Sequence, residues 1–156
     1  MYLEELAAII NKAMRDEISS AMLYHSVAEK VNGTEMEEFS TQLKENGDEE
    51  FNHFKEILAY ANNHGIDTFL SVDLVILSKP YTNNIEVDVA MILELEQTAI
   101  NDYTNAAVLA RSVEDLETES FFIELMNDER KHSDGMLKLS KLQKPKMLSF
   151  KDFVGI

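Results

Sequence analysis

The same spacing of glutamates and a histidine occurs twice in the sequence, at an offset of 79 residues. Glu50 follows Glu17 by 33 positions, and His53 follows Glu50 by three. The second copy has the same intervals and consists of Glu96, Glu129 and His132. Such a match is typical of a duplicated structural unit. We therefore infer that each half of the chain supplies one half of a single site.

Apolar residues recur at helical spacing along four long segments, at about 2–31, 34–63, 85–111 and 113–142. Short links join the first segment to the second and the third to the fourth, which favours two antiparallel helical hairpins. We therefore predict an all-α four-helix bundle domain over residues 1–145, with Pro145 ending the last helix. Residues 146–156 are predicted to form a tail or a short fifth helix.

The link between the hairpins, residues 65–84, is too long for a tight turn. It predicts a crossover that travels the length of the bundle and packs on it. A buried β-strand at 72–77 is the alternative, because a short apolar run has no decisive periodicity.

Composition excludes several classes of protein. A chain of 156 residues suits one domain, and the absence of cysteine excludes disulfides, zinc ribbons and iron–sulfur clusters. No apolar run approaches the roughly 20 residues needed to span a bilayer, and the first residues do not resemble a signal peptide, so we predict a cytoplasmic protein without a membrane partner. The net charge of −15 disfavours nucleic acid and attracts cations.

Two inward-facing series each contain a glutamate. Residues seven apart on a helix return to within about 20° of the same direction. The first series is Leu3, Ile10, Glu17, Tyr24 and Val31, and the third segment has Val89, Glu96, Tyr103 and Ala110. An isolated carboxylate in an apolar stripe is costly to bury, so these glutamates need a compensating partner.

Two divalent metal ions would supply that compensation. The charge of four carboxylates, from Glu17, Glu50, Glu96 and Glu129, equals that of two divalent cations with opposite sign. A Glu-x-x-His pair places both side chains on one helix face, where His53 and His132 add neutral donors. One such pair is a weak signal, but two at matched intervals predict a two-metal site.

Other residues are predicted to support the site. The hydroxyls of Tyr24 and Tyr103 either contact ligating carboxylates or belong to side chains that simply fill the core. Glu49 and Asp128 directly precede the two Glu-x-x-His pairs, and each either accepts a hydrogen bond from the histidine of the opposite half or is an ordinary surface acid. His25 and His64 are predicted to be surface or helix-end residues.

Residues 3–142 resemble the ferritin-like superfamily, in particular its bacterioferritin and bacterial ferritin branch, through the six residues of the duplicated pattern. The resemblance implies that Glu50 and Glu129 bridge two metal ions. Glu17 and His53 would complete the coordination of one ion, and Glu96 and His132 that of the other.

The resemblance also implies a function. It suggests a ferroxidase and iron-storage protein that binds two iron ions and oxidises Fe²⁺ with dioxygen or hydrogen peroxide. It further implies a homo-oligomer, with a 24-subunit cage as one form. Three alternatives stay open: manganese or zinc as the metal, a peroxide-detoxifying di-iron or di-manganese enzyme like rubrerythrin or manganese catalase, and a non-catalytic protective shell.

Some positions depart from relatives of this superfamily. Haem-binding bacterioferritins have a methionine after the first bridging glutamate, where this chain has Phe51, so haem is not expected. Rubrerythrins carry a further carboxylate one turn after the glutamate of the third helix, where this chain has Ala99.

Overall fold

The structure is a computed structural model that describes residues 1–32, 36–69 and 85–154, with side chains up to residue 141. Its elements are four helices: α1 (Tyr2–Val31), α2 (Glu37–Asn63), α3 (Ile85–Ser112) and α4 (Leu116–Val154). The described residues contain no strand, which confirms the all-α prediction. None of the helices in the described part of the chain combines the length and apolar character of a transmembrane segment.

The helices pair as two hairpins. α1 packs along α2, α3 packs along α4, and α1 also contacts α3 between the hairpins. Acids occupy the first turn of every helix, where they complement the positive end of the helix dipole. This architecture confirms the predicted four-helix bundle.

The end of α2 and the start of α3 lie at opposite ends of the bundle. Just after α2, the Asn11 side chain donates to the Asp67 carbonyl at 3.1 Å and accepts from the Phe69 amide at 2.6 Å, near the beginning of α1. At the start of α3, Asp88 pairs with Lys30, near the end of α1, at 2.6 Å. The two ends of the predicted crossover therefore lie at opposite ends of the bundle, as a connection along its full length requires. The alternative strand at 72–77 lies outside the described residues.

The fourth helix extends further than its sequence predicted. It continues past position 145 to Val154, so the described part of residues 146–156 prolongs α4 as backbone helix. A proline fixes φ near the helical value, so a helix can include one at the cost of a backbone hydrogen bond and some steric strain. The prediction that Pro145 ends the helix is therefore wrong for this structure.

An interior glycine lets α1 approach α2 closely. A Cβ built on Gly47 would lie 2.8 Å from Cδ2 of His25 and 3.1 Å from Cβ of Tyr24. The helix continues through Gly47 despite its low helical propensity, because the glycine makes room for the neighbouring helix.

The core consists of two apolar layers with a polar band between them. One layer includes Ile10, Ile57 and Phe122, and the other includes Leu43 and Met136. Along each helix, the positions between these layers carry the acids and histidines of the duplicated pattern. The bundle therefore encloses polar groups at mid-height with apolar packing above and below.

Candidate metal centre

Each helix contributes one buried glutamate to the polar band. Glu17 on α1, Glu50 on α2, Glu96 on α3 and Glu129 on α4 are at most 2% exposed. They are held there because each lies seven residues from a buried apolar or aromatic residue on the same helix face. The four carboxylates are thus fixed by packing in a region with little access to water.

The two histidines lie between the same carboxylates. His53 Nδ1 is 3.6 Å from an oxygen of Glu17, and 2.9 Å from one of Glu129. His132 Nδ1 is 2.8 Å from an oxygen of Glu50. Each histidine therefore faces the glutamate of the other Glu-x-x-His pair as well as its own, as expected if all six side chains surround one volume.

Several inward-facing atoms make no aligned hydrogen bond within the described residues, although His53 Nδ1 and His132 Nδ1 each lie within 3 Å of a carboxylate oxygen. All are fully buried oxygen or nitrogen atoms that could bind a metal ion. They are Glu50 Oε1, His53 Nδ1, Glu96 Oε2, Glu129 Oε1 and His132 Nδ1. Buried polar atoms are normally hydrogen-bonded, since leaving one unpaired costs about 1–3 kcal/mol. Five such atoms directed to one place fit a site for cations.

The ligand atoms form two overlapping groups. Glu17 and His53 form one group with Glu50 and Glu129, and the atoms of that group lie within 4.8 Å of one another. The second group meets the same limit and contains Glu50, Glu96, Glu129 and His132. Because Glu50 and Glu129 belong to both, the arrangement suits two neighbouring ions that share two carboxylates.

Two buried tyrosines hold the unshared glutamates. The hydroxyl of Tyr24 donates to Glu96, and the hydroxyl of Tyr103 donates to Glu17. Each tyrosine therefore crosses from its own hairpin to the other. These hydrogen bonds fix one carboxylate oxygen and leave the second oxygen to face the centre.

The acids before the two Glu-x-x-His pairs approach the histidines from outside. Glu49 Oε2 lies 2.5 Å from His132 Nε2, whereas Asp128 Oδ2 lies 3.7 Å from His53 Nε2. Each acid faces the histidine of the opposite half. Only the Glu49 contact is within hydrogen-bonding distance.

Residues 7–144 match the ferritin family, described as a ferritin-like domain. The chain belongs to the ferritin-like family. A comparison with curated proteins finds no match.

Solved structures resemble this ferritin-like bundle over nearly its whole length. A protein from Xanthomonas campestris pv. campestris has a TM-score of 0.82 at 12% identity, over 97% of this chain and 98% of that one. An iron-soaked variant of the ferritin PmFTN has a TM-score of 0.78 at 22% identity, over 96% and 99%. A second iron-soaked PmFTN variant has 0.74 at 21% identity, over 97% and 98%. These likenesses establish the fold.

Burial and the neighbouring charges raise the pKa of four groups in the ferritin-like centre. Burial raises the pKa of Glu17 well above its usual range and that of Glu96 to about 11. Burial would lower the pKa of both histidines, but the surrounding carboxylates reverse this. They raise the pKa of His132 to about 11 and hold the pKa of His53 well above its usual range. Proton binding is therefore favoured at these four groups.

The shared carboxylates, Glu50 and Glu129, behave differently. Burial opposes their ionisation, but the close imidazole groups of His132 and His53 outweigh it and lower the pKa of both. The shared carboxylates are therefore the groups of the centre that ionise most readily. Two divalent cations would balance the charge of four ionised glutamates, with both histidines neutral.

Not every titratable residue belongs to this ferritin-like centre. His25 pairs with Asp48 at 3.0 Å near the surface, and His64 follows the last residue of α2, where its ring stacks on Tyr60. Asn46 was not predicted from the sequence: it is 3% exposed, and its side-chain oxygen accepts a hydrogen bond from Gln42 at 2.8 Å. Its only signal in the sequence is a polar residue at an inward position.

Proposed function

We propose that this protein is a ferroxidase, which binds two Fe²⁺ ions within one subunit and oxidises them with dioxygen or hydrogen peroxide. The observation that supports the proposal best is the pair of overlapping ligand groups with five inward-facing atoms that make no aligned hydrogen bond within the described residues. Glu17 and His53 would hold one ion, Glu96 and His132 the other, and Glu50 and Glu129 both.

The reaction balances with two electrons. Each Fe²⁺ gives up one electron, and the two reduce dioxygen to hydrogen peroxide or hydrogen peroxide to water, with uptake of two protons. The protein residues provide the positions and the charge balance, and the apolar layers exclude water from the centre. Tyr24 and Tyr103 hold Glu96 and Glu17 in place throughout.

Rapid mixing with Fe²⁺ tests this proposal directly. Anaerobic protein loaded with two Fe²⁺ per chain and mixed with dioxygen or hydrogen peroxide should form ferric iron much faster than the same iron in buffer. Ferric absorbance that rises no faster than in buffer, with either oxidant, would refute ferroxidase activity. Manganese in the purified protein, together with fast oxygen release from peroxide, would instead support a catalase.

Metal binding is expected to release protons. The pKa of Glu17, Glu96, His53 and His132 is raised, so protons compete with a cation for these four groups. Binding of two divalent ions should therefore release protons, up to one from each group, and affinity should rise with pH because fewer protons then compete. Titration calorimetry with Co²⁺, in buffers of different ionisation enthalpy, measures this number. Release of no protons would contradict the proposed charge state.

We also propose that the chain acts in the cytoplasm as a homo-oligomer. Storage of iron mineral requires an enclosed space, and a cage of 24 chains of 17.8 kDa would have a mass of about 430 kDa. Size-exclusion chromatography with light scattering measures it. A particle of hundreds of kilodaltons supports storage, and a dimer would support a small redox enzyme without a store.

A further inference from the structure

The two halves of the centre match closely among the residues that face it. Tyr24 donates to Glu96 and Tyr103 donates to Glu17, and both glutamates are at most 2% exposed. The two histidines are also similarly buried, at 5% and 4%. The difference between the halves that bears on their histidines lies outside this set.

The difference lies in the acids behind the histidines. Positions 49 and 128 correspond under the 79-residue offset, but one is glutamate and the other aspartate. Glu49 reaches His132 Nε2 at 2.5 Å, while Asp128, one methylene shorter, stays 3.7 Å from His53 Nε2. Only His132 therefore has a carboxylate within hydrogen-bonding distance of its outer nitrogen.

A lysine strengthens this inequality. Lys131 Nζ lies 2.6 Å from Asp128 Oδ1, one turn along α4, and so competes with His53 for the charge of that carboxylate. The position that corresponds to Lys131 in the first half is Asn52, which is neutral. The two halves thus differ at these two positions near the histidines, and both differences weaken the support of His53.

A carboxylate behind a ligating imidazole has a known effect. When the Nε2 hydrogen is donated to the carboxylate, the ring is fixed in one tautomer and orientation, and Nδ1 becomes a stronger donor. In this structure Nδ1 is the nitrogen of both histidines that faces the centre. Removal of such an outer partner typically lowers metal affinity about 10–100-fold.

We propose that the two halves bind metal unequally: Glu49 makes the half with Glu96 and His132 the tighter one, and the half with Glu17 and His53 fills second. The inference rests on the proposed two-metal function. Glu49 is thereby a positioning residue, which acts through His132. In the reaction, the half with His53 would be the one where iron enters and leaves more readily.

Two variants isolate the halves for measurement. Glu17→Ala retains the complete second ligand group, and Glu96→Ala retains the complete first group. Co²⁺ is a suitable probe, since its visible spectrum reports ligation and no oxidation is needed. We expect Glu17→Ala to bind Co²⁺ at least about tenfold more tightly than Glu96→Ala does.

Changes at the outer acids then test the cause. Glu49→Gln in the Glu17→Ala protein should lower the affinity about tenfold or more, whereas Asp128→Asn in the Glu96→Ala protein should change it by less than about threefold. The reverse experiment places at positions 128 and 131 the residues found at the corresponding positions 49 and 52. Asp128→Glu together with Lys131→Asn, in the Glu96→Ala protein, should raise its affinity towards that of the Glu17→Ala protein.

The possible results separate this inference from the proposed function. Equal Co²⁺ affinity in the two single-half proteins, or equal losses from Glu49→Gln and Asp128→Asn, would overturn the inequality while leaving a two-metal centre intact. Absence of Co²⁺ binding in the unaltered protein would overturn the proposed function, and the inequality with it.

Discussion

Glu50→Ala is expected to slow the oxidation of Fe²⁺ by roughly a hundredfold or more. Glu50 belongs to both ligand groups, so its loss removes a carboxylate from each ion at once. It also leaves His132 without the carboxylate oxygen that lies 2.8 Å from Nδ1. Since the loss of an outer partner alone costs about 10–100-fold in affinity or activity, the loss of a shared ligand should cost at least the upper value. Stopped-flow absorbance of ferric iron measures the rate.

Matched variants control for an effect of mutation itself. Glu56→Ala removes an exposed glutamate from the same helix and should leave the rate unchanged. Glu129→Ala should behave like Glu50→Ala, and Glu124→Ala, exposed on α4, should behave like Glu56→Ala. Rates in Glu50→Ala and Glu129→Ala that equal the unaltered rate would show that oxidation occurs elsewhere.

Removal of metal is expected to lower the melting temperature by tens of degrees. The metal-free centre keeps six ionisable groups between two apolar layers, and two bound ions would replace their protons. At a free concentration of 1,000 times Kd, each ion adds about 4 kcal/mol. For a domain of this size, 1 kcal/mol corresponds to about 2–4 °C, so two ions should raise the melting temperature by roughly 15–30 °C. Circular dichroism melts with chelator and with Co²⁺ measure the shift.

The control for this shift is again a change at a shared ligand. Glu50→Ala protein should show a much smaller response to Co²⁺, while Glu56→Ala should respond as the unaltered protein does. A melting temperature that is the same with chelator and with saturating Co²⁺ would mean that the buried carboxylates do not bind the ion.

The four helices and the buried glutamates between them could be predicted from the sequence, because both follow from the helical period of the apolar residues. A helical period of apolar residues fixes which face is buried, so glutamates such as Glu17 and Glu96 on that face must lie in the core. The duplicated interval then indicated which four helices share the site.

Other features depended on details that a linear pattern does not contain. Helix α4 continues past Pro145 as backbone helix, since a proline fixes φ near the helical value and does not by itself end a helix. Glu49 and Asp128 looked equivalent in the sequence. Their distances to the opposite histidines differ because the glutamate side chain is one methylene group longer. Lys131 in addition pairs with Asp128, and neither contact can be read from a linear pattern.

Anomalous X-ray scattering from crystals of the Co²⁺-loaded protein tests the central claim most directly. The account predicts two peaks in each subunit, about 3.5–4 Å apart, both next to Glu50 and Glu129. One peak should contact His53 Nδ1 and the other His132 Nδ1. Absence of cobalt between these six side chains, with cobalt only on surface acids, would contradict it.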